Sequence, residues 1–244
     1  MMGGLILSVI GVMPLFQLLT KAANPALAAA QASSPVVVHA DPVDCSFQLD
    51  PLGRNPFDRR SCDLAKSTLA RAGINYTNRG VPGSDAAEVH VGDDVVGVPP
   101  TSELSGDDGK ASIVDFRASL HAALDRAGYP TVADPAAVDK PVVVLVIALV
   151  SIFAAATYAP IAAALVELFP ARIRYTSLSL PYHLGAGWFG GFLPATAFAI
   201  VAATGNIYSG LWYPIGFAAL SVVVGGLWLP ETFRRKIDDG GTPQ

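Results

Sequence analysis

Long uncharged, apolar runs alternate with a single charged segment along this chain. Residues 1–20 carry no charge, and neither do residues 141–166, which are rich in Val, Ile, Leu and Ala. No formally charged residue occurs from Tyr175 to Pro230. A helix needs about 20 apolar residues to cross a hydrocarbon core of about 30 Å, so the last run is too long for one crossing. It breaks at "TGNIYSG" (204–210), where Gly205-Asn206 favours a turn. The pattern therefore predicts four transmembrane helices, over 1–20, 141–166, 177–203 and 208–229. A loop at 167–176, a turn at 204–207 and a tail at 230–244 separate or follow them. The first run also resembles a secretory signal, with small residues at Ala28–Ala30. It lacks a positive leading region, and its apolar stretch exceeds the usual length of about 7–15 residues. Pro14 within it suits a packed membrane helix, so a retained helix is expected.

Residues 21–140 follow a different pattern. "SSPVVVHADPVDCSFQLDP" reads as two short strands broken at Asp41-Pro42. "SCDLAKSTLARAG" reads as a helix stopped by Gly73, followed by a strand "INYTNR". "EVHVGDDVVGV" alternates about Gly92-Asp93-Asp94 as a hairpin does. "SIVDFRASLHAALDRAG" places Ile113, Phe116, Leu120 and Leu124 on one helical face, with Ser112 and Asp115 at cap positions and Gly128 as its stop. "LARAG" and "LDRAG" echo each other and hint at two related strand-helix units. The expected fold is a membrane all-α bundle of four helices carrying a small α+β domain.

Charge sharpens this division. The chain is 52% hydrophobic and only 15% charged, against about 25% charged in ordinary soluble domains. Residues 21–140 hold 11 of the 16 Lys/Arg and 16 of the 20 Asp/Glu. Too little polar sequence is left to cover the other helices in water. Positive charge in short loops sets orientation, while long translocated segments count little. Arg172 and Arg174 lie in the 167–176 loop, and Arg234, Arg235 and Lys236 lie in the tail. Both are expected in the cytoplasm, which leaves 21–140 and the 204–207 turn on the extracytoplasmic side. Cys45 and Cys62 are the only cysteines. Both fall in that outer segment, where an oxidising compartment permits a disulfide.

Three stretches carry a resemblance. "ELFPARIRYTSLSL" (167–180) is similar to the loop between helices ten and eleven of the major facilitator superfamily, closest to its metabolite:proton symporter branch. "PYHLGAGWFGGFLP" (181–194) resembles helix eleven of that branch, and "LPETFRR" (229–235) resembles the ending just after helix twelve. They come in the family's order and spacing. The resemblance implies that the chain carries helices nine to twelve of a twelve-helix carrier, with the first eight helices as its missing partner. It implies a small metabolite and a proton as cargo, moved by alternating access across a bacterial inner membrane. Glu167, Pro170, Arg172, Arg174, Glu231 and Arg234 then form the cytoplasmic loop and gate motif. The plainer reading of the same loop is an interfacial anchor. The insert between helices nine and ten departs from the family pattern, and the resemblance is silent on its role.

Ionisable groups inside a bilayer are costly unless they have a function. His183 is the one histidine in the 175–230 run, and imidazole titrates near neutral pH. Tyr182 and Trp188 flank it, while Tyr158 precedes Pro160 on the preceding helix. These four are the candidate substrate or proton pathway, with a histidine bonded at the interface as the bland alternative. Gly187 and Gly191 form a G-x-x-x-G step suited to close helix packing. No nucleophile elbow, P-loop, dinucleotide fingerprint or metal-ligand spacing occurs, so no enzyme activity, cofactor, metal or nucleic-acid partner is expected. The alternative function is a membrane-anchored extracytoplasmic binding module without transport activity.

Overall fold

The computed structural model describes residues 2–100, 107–168 and 173–228. The described elements run α1 (Met2–Ala23), α2 (Pro25–Ser33), β1 (Val36–Ala40), α3 (Ser61–Arg71), β2 (Tyr76–Gly80), β3 (Glu88–Val91), β4 (Asp94–Gly97) and α4 (Asp107–Arg126). They continue with α5 (Lys140–Leu168), α6 (Arg174–Leu184), α7 (Leu193–Thr204) and α8 (Trp212–Trp228). Among the described residues, four helical spans are long and apolar enough to cross a membrane: Met2–Ala23, Lys140–Ile161, Tyr175–Thr204 and Ser209–Trp228. The chain divides into two compact units, one of residues 1–16, 144–194 and 211–244, the other of 17–143 and 195–210.

In the first unit, apolar side chains point outward all round the helices. Val144, Leu145, Ile147 and Ile152 of α5 and Leu220, Val223 and Leu227 of α8 are all exposed. A helix that is hydrophobic on every face is built for lipid or for further helices. The close helix contact is made by α1 on α5. A Cβ at Gly4 would come within 2.8 Å of the backbone at Ala156 and Thr157, and one at Gly11 within 2.6 Å of the Phe153 ring. Hydrogen at Gly4 lets the helices approach backbone to backbone, as small residues do in membrane bundles, and at Gly11 it makes room for the Phe153 ring. Near α8, the Tyr213 hydroxyl donates to the Phe189 carbonyl at 3.1 Å, and Phe217 stacks at a tilt on Phe189.

The uniform helix expected over 177–203 is interrupted. Between α6 and α7 the backbone widens into a π-turn over Gly185–Gly190. "GAGWFGG" explains this, since glycine is about 1 kcal/mol poorer than alanine in a helix and Pro181 and Pro194 remove two amide donors nearby.

The second unit is an α/β domain closed around its own core. Its sheet has the order β2-β1-β3-β4, with β1 and β2 parallel and the other pairs antiparallel. α3 is the crossover that parallel strands require. Alternation puts Val36, Val38, Ala40, Val89 and Val91 on one face, where Leu64, Leu69, Phe116, Leu120 and Leu124 from α3 and α4 bury them. The opposite face carries His39 and His90, stacked with ring centroids 4.0 Å apart.

Several local expectations for this domain need correction. The second strand expected after Pro42 does not form. Residues 42–44 make a 3₁₀ turn, and the chain beyond it bonds to α3. The Asp44 carboxylate accepts from the Ser61 hydroxyl at 3.1 Å, and Cys45 is bonded to Cys62. Asp63 accepts from the Ser46 amide at 2.8 Å, and the Gln48 side chain donates to the Asp63 carbonyl. A disulfide and a buried carboxylate thus outcompete a strand ladder. Asp107, not Ser112, falls in the first turn of α4, and the Ser112 hydroxyl bonds back to the Asp108 carbonyl inside the helix. α2 was not expected at all. Asn24 caps it by accepting from the Leu27 amide, and Pro25 opens it.

Candidate functional site

The candidate pathway residues all lie in the apolar unit. Tyr158 is on α5, Tyr182 and His183 are on α6, and Trp188 is within the π-turn. Tyr182 meets His183 edge to face at 5.8 Å, and Trp188 meets Phe192 in the same manner at 6.2 Å. Tyr158, Tyr182 and Trp188 are 71%, 56% and 65% exposed. Among the described residues, no hydrogen bond or ring contact joins Tyr158 to the other three. Only the sequence neighbours are together.

Of the loop and gate motif, Pro170, Arg172, Glu231 and Arg234 lie outside the described residues. Glu167 falls in the last turn of α5, and Arg174 opens α6. The glycine step has a distinct local role. The Gly191 amide donates to both the Ala186 and Gly187 carbonyls at 3.1 Å, closing the π-turn, and a Cβ at Gly191 would strike the Gly187 oxygen. Open space surrounds the Cβ position of Gly187.

A second constellation was not anticipated. β2 and the residue before it grip the C-terminal end of α7 and the turn that follows. The Tyr76 amide donates to the Gly205 carbonyl at 2.8 Å, and the Tyr76 hydroxyl donates to the Ala202 carbonyl at 2.6 Å. Burial raises the pKa of that hydroxyl, so it stays a donor throughout the physiological range. The Asn78 amide group donates to the Ala203 carbonyl at 3.0 Å, and the Asn75 side-chain oxygen accepts from the Ile207 amide at 2.9 Å. These bonds satisfy carbonyls at the helix end that have no partner within the helix. Gly205 makes the fit possible. Its φ is +77°, and a Cβ there would sit 2.0 Å from the Tyr76 oxygen. Nearby, the Arg71 guanidinium lies over the Phe198 ring, 5.2 Å from its centroid. The sequence signal was present in the Gly205-Asn206 turn and in polar Asn75 and Asn78 around a buried tyrosine. Nothing in either stretch names the other as its partner.

Among the described residues, four apolar helices long enough to cross a membrane, with exposed hydrophobic surfaces, support a multi-pass membrane protein. Residues 123–239 match the family described as sugar (and other) transporter. The match takes in three of the four spans and supports a major-facilitator transporter portion there. No curated protein and no solved structure matches the chain significantly.

Proposed function

We propose that the chain forms the C-terminal part of a secondary active transporter that moves a small metabolite, such as an organic acid, together with a proton. It does so by alternating access in a bacterial inner membrane, working with the eight helices that complete such a bundle. The observation that carries this reading is the transporter-family match running across three consecutive apolar spans. The order of "ELFPARIR", "PYHLGAGWFGGFLP" and "LPETFRR" adds the symporter branch. The π-turn at 185–190 supplies a hinge between α6 and α7, since such widened turns cluster at functional and moving parts of helices. His183, two residues before it, carries the proton, with Tyr158, Tyr182 and Trp188 along the path.

The α/β domain belongs on the extracytoplasmic side. Loop charge supports this placement, as does the grip of β2 on the 204–207 turn, which the same charge rule puts outside. The closed core of the domain favours a second reading, in which the helices only anchor an external module. An uptake assay separates the two. Membrane vesicles carrying this chain with co-expressed N-terminal helices of a symporter-branch relative are given radiolabelled succinate and related organic acids. The proposal expects accumulation that an imposed inward proton gradient drives and a protonophore abolishes. It expects His183→Gln to lower gradient-driven uptake about tenfold, within the range of ordinary coupling energies. Accumulation by this polypeptide alone, or uptake indifferent to the gradient in every combination, contradicts it.

A further inference from the structure

A cleft of about 710 Å³ opens in the α/β domain between α3, α4 and the loop before α3. Its volume lies within the ordinary range for small-molecule sites, about 300–1,000 Å³. The lining brings together Arg54 from the loop, Arg71 from α3 and Arg117 and His121 from α4, and includes no carboxylate. Arg117 and His121 are one helical turn apart and so share a face. The chain as a whole has a net charge of −4, so this concentration of cations runs against its average.

Two further features mark a built site. Thr68 is among the lining residues, and its hydroxyl, turned away from solvent, meets no hydrogen-bond partner among the described residues. A buried hydroxyl without a partner is costly, and a bound acceptor within its reach would offset that cost. The loop is also held in one shape. The Asp50 carboxylate gathers the amides of Leu52 and Asn55, and the Asn55 side chain accepts from the Phe57 amide at 2.9 Å. Phe57 is buried at φ +54°, a conformation that non-glycine residues rarely adopt and that surrounding contacts must enforce.

We infer that this cleft is a receptor site for a small polycarboxylate anion. Guanidinium forks match carboxylate groups in pairs, and a rotation of the Thr68 side chain would bring its hydroxyl to one carboxylate oxygen. The volume suits a metabolite carrying two or three carboxylates rather than a lone inorganic ion. Arg71 connects the site to the membrane helix, because a ligand that draws its guanidinium inward competes with its seat on Phe198 of α7. The inference stands apart from the transport proposal, since it concerns binding by the external domain whatever the helices carry.

The test is equilibrium dialysis of the full chain in detergent with radiolabelled citrate, succinate or inorganic phosphate. Saturable binding of citrate or succinate is expected. Arg71→Gln and Arg117→Gln should each weaken it at least about tenfold, the usual weight of a charge-assisted pair. Thr68→Val should weaken it about fivefold. Lys110→Gln, on α4 outside the cleft, should leave it unchanged. Arg117→Lys, which keeps charge but not the fork, should recover only part of the loss, and circular dichroism of each variant reports whether the fold survives. Absence of carboxylate binding, binding of phosphate alone, or carboxylate binding that folded Arg71 and Arg117 variants retain in full would overturn the assignment.

Discussion

Gly205 shows how much can rest on one hydrogen atom. Its positive φ, and the Tyr76 carbonyl oxygen that a Cβ there would meet at 2.0 Å, leave no room for a methyl group. Gly205→Ala should therefore destabilise the junction of β2 with the α7 end by about 2 kcal/mol or more. Limited proteolysis at the 204–210 turn reads this directly, with faster cleavage in the variant and an otherwise unchanged fragment pattern. His39 makes a separate prediction at the same scale. Burial, then the neighbouring His90 and Arg79, lower its pKa below the ordinary 6.5, while Glu88 pulls the other way. The folded domain thus resists protonating it, and the unfolded chain binds more protons in that window. Stability should be full above the ordinary value and decline as pH falls below it. Melting curves between pH 7.5 and 5 should show the decline, and His39→Gln should flatten it.

At the scale of elements, what the sequence disclosed follows from how local its cause is. The echo of "LARAG" and "LDRAG" was visible, but its meaning was a cap rather than a repeated unit. Gly73 and Gly128 both stand at positive φ, and the next residue's amide reaches back to Leu69 in one helix and Leu124 in the other. That is the hydrogen-bond pattern of a glycine-terminated helix. The hairpin about Gly92 was legible from alternation, and the strand at Val36–Ala40 from its valine run ahead of the Asp41-Pro42 break. The segment after Asp41 was not, because its partners, Cys62 and Asp63, lie on a helix about one loop later. That disulfide closes a 17-residue step and should contribute about 3 kcal/mol in the chain-entropy model. Cys45→Ser with Cys62→Ser should lower the thermal midpoint of the domain accordingly in calorimetry. An unchanged midpoint would mean that the Asp63 bonds hold the segment without it. The Gly4 and Gly11 contacts on α5 went unread for a similar reason. Glycines in an apolar helix advertise a close approach without naming the neighbour.

For the whole molecule, the apolar spans were legible in the sequence, while the long-range contacts of the α/β domain were not. Apolar runs and loop motifs point to a carrier because bilayers and families impose recurring patterns. The arginine cleft and the β2 grip on the α7 turn assemble residues far apart in sequence, with no spacing rule to reveal them. Both matter to function only if the α/β domain and the 204–207 turn share the extracytoplasmic side, opposite the 167–176 loop. Cysteine accessibility in intact spheroplasts tests this most directly, since Cys45 and Cys62 are already paired. A single cysteine is placed at exposed Ser119 on α4, or at exposed Thr176 at the start of α6, and challenged with a membrane-impermeant maleimide. The account predicts that Ser119→Cys labels in intact cells and Thr176→Cys labels only after lysis. Labelling of Thr176→Cys from outside, or protection of Ser119→Cys until lysis, would contradict it.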